Sequence, residues 1–315
     1  MTAPSDAQTS RTASQSGVAP RAHLALLGGV LCIGLGPIFI RLADVTGDVL
    51  GVYRLGIAAL VLTPAAWLNW RSGRARLPRA KLGLALLGGL AFAANIFIWS
   101  TALRLTTIAN ATFLDNTAPV WVGLGAWLLF GERLRPLYWG GLALALAGGA
   151  LLVGPGGFDG SAASVGNVLA IAGAVIYAAY LLVTERVRES VDNLTYVWLF
   201  SGVAAVSLLI LSLALGSPLV GLPRQSYAAL LGVALISQVG GWLLINYAFG
   251  HLRASLVSVT LLGQPVVATL LAAPLFGEMP GLPTVLGGLV TLAGIYTVHR
   301  SVSAPSHAAE VPHAD

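Results

Sequence analysis

Residues 119–133 read PVWVGLGAWLLFGER, and residues 265–279 read PVVATLLAAPLFGEM. The two stretches share their first proline and their Phe-Gly-Glu triplet, and they lie 146 positions apart. One constant offset over four pairs of apolar runs predicts that the chain is an internal duplication. The same offset aligns Gly56, Ala58 and Ala59 with Gly202, Ala204 and Ala205, Ala102 with Ala248, and Gly141, Ala147 and Gly148 with Gly287, Ala293 and Gly294.

The chain around these stretches is strongly apolar. Apolar residues make up 57% of the sequence and charged residues 9%, whereas a soluble chain carries roughly 25% charged residues. A soluble fold cannot hide so much apolar surface, so soluble enzymes, nucleic-acid-binding modules and disordered chains are excluded. Runs of about 20 apolar residues cross a bilayer as helices. Ten such runs predict an all-α polytopic membrane protein, with nine as the alternative count: 22–42, 48–69, 81–102, 106–130, 136–153, 163–184, 193–215, 226–249, 254–276 and 281–299.

The basic residues predict the orientation of these ten helices. Each half holds five runs, an odd number, so the second repeat must be inverted with respect to the first. With the N-terminus in the cytoplasm, the inner segments carry thirteen Lys and Arg residues and the outer loops only Arg104 and Arg224. Because cytoplasmic loops are enriched in Lys and Arg, both termini are predicted to be cytoplasmic, with the protein in the inner or plasma membrane.

The predicted domains follow from the two repeats. They are a disordered cytoplasmic tail over 1–21, a first repeat over 22–153, a second repeat over 163–300 and a cytoplasmic tail over 301–315. Inverted repeats are typical of secondary transporters, because two pseudo-symmetric halves can open to alternate sides of the membrane. The small residues Gly141, Ala145 and Gly149 form a stripe that permits close helix contact or a homodimer.

Polar residues inside the apolar runs are the candidate binding residues, because charges in a membrane are costly. Arg54, Asn95 and Asp115 lie at a similar depth, about 9 to 13 Å from the outer ends of their runs. Two interpretations stay open: a polar cavity wall, with Arg54 for a carboxylate or phosphate and Asp115 for an amine or proton, or a buried structural Arg54–Asp115 pair. The full candidate set is Arg54, Asn95, Trp99, Asp115, Asn116, Gln238, Trp242 and Gln264.

Two prolines are the candidate gating residues. Pro119 and Pro265 occupy equivalent positions of the two repeats, and each removes a helix hydrogen bond near the middle of its run. A symmetric pair of kinks is expected where two helices bend as a gate.

These residues resemble the EamA type of the drug/metabolite transporter superfamily. The resemblance rests on Arg54, Ala102, Pro119 followed by Phe130-Gly131-Glu132-Arg133, and Pro265 followed by Gly277-Glu278, and it covers residues 22–300. Met279 departs from the family pattern, which often has a basic residue there. The resemblance implies a ten-helix carrier that exports amino acids or similar small compounds.

The sequence therefore predicts a secondary transporter of a small-molecule substrate that works by alternating access in a lipid bilayer. No nucleotide-binding segment is recognisable, so protons or a counter-substrate are expected to drive it. No cofactor, metal site, nucleic-acid partner or catalytic constellation is predicted. The alternative class is a non-transporting structural membrane subunit or an intramembrane enzyme.

Overall fold

The computed structural model describes residues 6–106, 108–153, 164–276 and 280–303, and these ranges are helical apart from short turns. Helix α1 begins at Asp6, within the segment that was expected to form the first tail. Residues 304–315 of the second tail and the motif Gly277-Glu278 lie outside the described ranges. The helices are α1 Asp6–Gly34, α2 Gly36–Ala43, α3 Gly47–Arg71, α4 Arg79–Leu105, α5 Ile108–Asp115, α6 Ala118–Phe130, α7 Pro136–Val153, α8 Ser164–Arg188, α9 Asn193–Leu215, α10 Arg224–Gly232, α11 Trp242–Phe249, α12 Ala254–Leu261, α13 Gln264–Phe276 and α14 Leu282–Ser303, with a π-helical segment, Val233–Gly241, between α10 and α11.

Eight segments of the described chain are long and apolar enough to cross a membrane, which makes the protein a multi-pass membrane protein. They coincide with eight of the ten predicted runs. The other two predicted runs are described as the short helices α5 and α6 and as the 18-residue helix α7. The eight spans are Pro20–Ala43, Gly47–Arg71, Arg79–Ala102, Val165–Arg188, Asn193–Leu215, Arg224–Phe249, Ala254–Leu271 and Leu282–Ser301.

Two helices are interrupted at equivalent positions. The turn at 116–117 separates α5 from α6, and the turn at 262–263, which lies 146 residues later, separates α12 from α13. Pro119 and Pro265 each occupy the second position of the helix after the turn. In the first turn of a helix the backbone N–H has no partner within the helix, so a proline there costs no helix hydrogen bond. The two prolines therefore begin new helices and do not kink continuous ones.

Helices α7 and α14 cross in antiparallel contact through glycines. A Cβ on Gly148 would lie 2.6 Å from the Gly287 carbonyl oxygen, and a Cβ on Gly294 would lie 2.6 Å from the Gly141 carbonyl oxygen. Gly141 and Gly287 are equivalent in the two repeats, and so are Gly148 and Gly294. Gly141 and Ala145 of the predicted small-residue stripe lie at this contact, whereas Gly149 does not and Gly148 takes its place.

The turns rich in basic residues meet at one end of the bundle, which we call the basic end. There the Asp192 side chain accepts hydrogen bonds from Asn69 Nδ2 at 3.0 Å and from the Arg76 amide at 2.8 Å. Lys81 Nζ donates to the Arg186 carbonyl oxygen at 2.9 Å. These contacts join the turn between α3 and α4 to the turn between α8 and α9, and they close this end of the bundle.

Candidate functional site

Arg54 lies two turns inside α3 and is bound by an amide. Its Nε donates to Gln238 Oε1 at 2.7 Å. Gln238 belongs to the π-helical segment and has no solvent exposure. Its Nε2 donates in turn to Ser201 Oγ of α9 at 3.4 Å. The arginine, the glutamine and the serine thus form a chain of hydrogen bonds across three helices.

Asp115 ends α5, where the helix is interrupted. Asn95 Nδ2 of α4 lies 3.4 Å from Asp115 Oδ1 and donates to the Gly173 carbonyl oxygen of α8 at 3.1 Å. A Cβ on residue 173 would lie in ordinary van der Waals contact, 3.7 Å from both side-chain atoms. Among the described residues Asp115 has one weak hydrogen-bond partner, and its carboxylate keeps further acceptor positions.

The two charges do not pair with each other. The described ion pairs include Lys81–Glu189, Arg186–Glu189 and Arg253–Glu132, and none joins Arg54 to Asp115. Tyr177 of α8 is close enough to interact electrostatically with both Arg54 and Asp115.

Trp242 lies one turn beyond Gln238 and belongs to an aromatic cluster rather than to an open wall. Its ring centroid lies 5.1 Å from that of Phe92, 5.5 Å from Tyr180 and 6.1 Å from Phe200. These four rings are at most 3% exposed. The cluster therefore forms a packed aromatic layer on the side of the Arg54 site that faces the basic end.

A second candidate region is a cavity beside the interrupted helices. A cavity of about 150 Å³ lies between α5, α7, α13 and α14. Asn116 and Pro265 line it, together with the hydroxyl-bearing residues Thr112, Thr269 and Thr291. Asp115 and Asn116 are consecutive, so at one turn the Asp115 side chain contacts Asn95 while Asn116 lines this cavity.

The predicted residues thus divide into separate groups. Arg54 and Gln238 join directly, Asn95 and Asp115 form a second pair, and Asn116 and Pro265 share the cavity. Trp99 lies in α4 with a buried Nε1 that has no hydrogen-bond partner among the described residues, while Gln264 is half-buried at the start of α13 and Pro119 is buried in α6. Sequence reasoning missed Ser201 as a partner of Gln238, because a serine in an apolar run carries no signal of its own.

Comparison with known proteins identifies the family. The EamA-like transporter family matches residues 20–154 and again residues 164–300, so nearly the whole chain is covered by two copies of one domain. The chain belongs to the EamA-like transporter family. The resemblance found in the sequence is confirmed, and the duplication at the 146-residue offset corresponds to the two EamA domains.

Individual relatives of this EamA protein are also transporters. The chain is 29% identical over 255 residues to an uncharacterized transporter of Archaeoglobus fulgidus, covering 78% of this chain and 86% of that one. It is 27% identical over 265 residues to a probable terminal-alkyne amino-acid exporter of Streptantibioticus cattleyicolor, covering 84% and 87%. One crystal structure shares the fold, with a TM-score of 0.76 at 22% identity over 90% of this chain and 99% of the other.

Proposed function

We propose that this EamA protein is a secondary-active carrier that exports amino acids or similar small amphoteric compounds by alternating access. The observation that carries the proposal is the arrangement of Arg54 and Asp115. Arg54 lies on the membrane-spanning helix α3 and Asp115 at the end of the short helix α5, both in electrostatic range of one tyrosine, yet neither neutralises the other. Unpaired charges are expensive in a membrane, which makes them candidates for binding a substrate.

The chemistry of the two residues suits a substrate with two opposite charges. A guanidinium binds a carboxylate through parallel N–H donors. A carboxylate such as Asp115 binds an ammonium group. The buried Trp99 Nε1 is a further donor that has no partner in the part of the chain that the structure describes, and Asn95 offers an amide beside Asp115. An amino acid carries both charges on one carbon atom and would satisfy both residues at once.

Alternating access is supported by the glycine contacts between α7 and α14. Gly141 approaches Gly294, and Gly148 approaches Gly287. Gly141 therefore meets the repeat equivalent of Gly148, and Gly148 meets the repeat equivalent of Gly141. Such a reciprocal pattern arises when two halves are related by a two-fold axis. The proposed architecture is ten membrane helices in two inverted repeats, in which the interrupted helices at Pro119 and Pro265 act as gates.

Export from the cytoplasm across the cell membrane is supported by the Streptantibioticus relative, which is named a probable terminal-alkyne amino-acid exporter. A proton or a counter-substrate would drive the transport. The basic end would face the cytoplasm, and both termini would lie on that side.

Flux through purified protein in proteoliposomes tests this function. Each of the twenty radiolabelled L-amino acids is assayed for counterflow with wild-type protein, Arg54→Ala and the control Arg224→Ala, which removes an exposed arginine at the start of α10. We expect counterflow of at least one amino acid in wild type and in Arg224→Ala, and its loss in Arg54→Ala. Absence of counterflow for every amino acid in wild type, or undiminished flux in Arg54→Ala, contradicts the proposal.

A further inference from the structure

The Arg54 side chain has five N–H donor positions, and one of them is already taken. Its Nε is bound to Gln238 Oε1, and no other hydrogen bond joins its terminal amino groups to the part of the protein that is described. A guanidinium receives a carboxylate either side-on, through Nε and one terminal nitrogen, or end-on, through both terminal nitrogens. With Nε occupied, only the end-on geometry is open.

We propose that Gln238 is a positioning residue, which holds the Arg54 guanidinium so that a substrate carboxylate binds end-on to Nη1 and Nη2. This inference rests on the proposed function and deepens it, because it fixes the side of the arginine to which the substrate anion binds. Gln238 itself does not touch the substrate.

The glutamine is fixed from two directions. It is 0% exposed, and Ser201 Oγ accepts from its Nε2. Because the Arg54 Nε–H can only donate, the carbonyl oxygen of the amide points to Arg54 and its nitrogen to the serine. A rotation that exchanged the nitrogen and the oxygen would set two donors against each other and lose the Arg54 hydrogen bond, whereas the serine hydroxyl could still donate to the oxygen.

The π-helical segment supports this orientation. Ser237, the neighbour of Gln238, donates its hydroxyl to the Cys32 carbonyl oxygen of α1 at 2.9 Å. Gly241 lies against α1 so closely that a Cβ would meet Ile33 Cγ1 at 2.6 Å. The π-helical segment is thus anchored on α1 through Ser237 and Gly241, while Gln238 reaches Arg54 on α3. π-Helical turns are rare and occur frequently at functional sites.

The equivalent position in the other repeat lacks these groups. At the offset of 146 residues, Gln238 corresponds to Phe92 and Arg54 corresponds to Phe200. These two rings also contact each other, with centroids 5.4 Å apart. The first-repeat equivalent of the π-helical segment, residues 87–95, is ordinary helix within α4. Of the two equivalent contacts between the repeats, Phe92–Phe200 is therefore a packed aromatic pair, and Arg54–Gln238 is the proposed anion-binding pair.

The experiment compares Gln238→Met with the control Ser237→Ala. Methionine keeps the length of the side chain but cannot accept the Arg54 Nε hydrogen bond, whereas Ser237→Ala alters the same segment without touching Arg54. Two measurements are made on each protein after monodispersity has been checked by gel filtration. The first is the rate at which phenylglyoxal modifies Arg54, followed by peptide mass spectrometry. The second is counterflow of L-amino acids, with their C-terminal amides as competitors.

For the first measurement we expect Arg54 to be modified about threefold more slowly in Gln238→Met, because a guanidinium that is no longer held presents Nη1 and Nη2 to the reagent less often. Ser237→Ala should match wild type. This comparison needs no transported substrate. Equal modification rates in Gln238→Met and wild type overturn the positioning role even if transport is found.

For the second measurement we expect KM for amino acids to rise about tenfold in Gln238→Met with little change in maximal rate, and the preference for the free carboxylate over the amide to fall. Ser201→Ala removes only the hydroxyl that binds the Gln238 amide, and it should shift KM in the same direction. This second variant keeps the test decisive if Gln238→Met misfolds. A change in maximal rate alone contradicts the proposal. Absence of counterflow in wild type contradicts the proposed function, and the modification rates still decide the role of Gln238.

Discussion

Asp115 is the residue at which the proposed recognition of an amino group is decided. A carboxylate binds an ammonium group through a charge-assisted hydrogen bond, roughly twice as strong as a neutral one. Asp115→Asn keeps the shape and the contact with Asn95 but removes the charge. We expect KM for amino acids to rise about tenfold in proteoliposome counterflow.

The matched control for this prediction is Asp44→Asn. Asp44 is exposed in the turn after α2 and has a φ of 48°, a conformation that asparagine also adopts readily. The control should retain the wild-type KM. If Asp115→Asn transports amino acids with the same KM as Asp44→Asn, the carboxylate of Asp115 does not bind the substrate.

At the scale of single residues, the sequence predicted which side chains stand out but not their partners. Arg54, Asn95, Asp115 and Gln238 are recognisable because polar groups are rare in apolar runs. Their pairing depends on the rotation and depth of neighbouring helices, which periodicity does not determine when a helix is apolar on all sides. Arg54 therefore pairs with Gln238 of the second repeat, although an Arg54–Asp115 pair was one interpretation of the sequence.

At the scale of elements, the close crossing of α7 and α14 depends on glycines that have no room for a side chain. A Cβ on Gly148 would overlap the backbone of α14, with the Gly287 carbonyl oxygen at 2.6 Å, whereas a Cβ on the adjacent Gly149 would meet nothing within 4 Å. We expect Gly148→Ala to destabilise the protein by about 1–3 kcal/mol, because the two helices must separate.

The adjacent glycine provides the control for this prediction. Gly149→Ala should leave the melting temperature, measured by thermal unfolding in detergent, close to the wild-type value, since its methyl group enters open space. Equal melting temperatures for the two alanine variants would mean that the helices do not approach as closely as the structure places them.

The elements were partly predictable from the repeat. The 146-residue offset predicted equivalent irregularities at Pro119 and Pro265, and the structure has interruptions at 116–117 and 262–263. The prolines suggested kinks, but their missing N–H is tolerated in the first turn of a helix, which is where both lie. The π-helical segment had no sequence signal, because Val233–Gly241 is composed of residues that fit an ordinary apolar helix and its hydrogen bonding depends on contacts with α1 and α3.

At the scale of the whole molecule, the charge bias of the loops and the folded structure point to the same end of the bundle. The turns after α3, α6, α8 and α11 were assigned to one side from their Lys and Arg residues. In the structure these turns meet at the basic end, through Lys81 with Glu189 and Arg253 with Glu132. This agreement was predictable because successive membrane spans alternate in direction. Lys81 and Glu189 are partly exposed, so their ion pair contributes little stability, and the charges of this end act mainly on orientation.

The last prediction concerns that orientation. Alkaline phosphatase is active only outside the cytoplasm, whereas green fluorescent protein fluoresces after folding in the cytoplasm. We expect phosphatase fused after Ser217, in the turn between α9 and α10, to be active. Phosphatase fused after Ser190, in the turn at the basic end, should be inactive, and green fluorescent protein fused after Ser303 should fluoresce. Thirteen cations against two would orient the chain in this way because Lys and Arg are retained on the cytoplasmic side. Activity at Ser190 together with inactivity at Ser217 would mean that the basic end faces outward and that the predicted orientation of the helices is wrong.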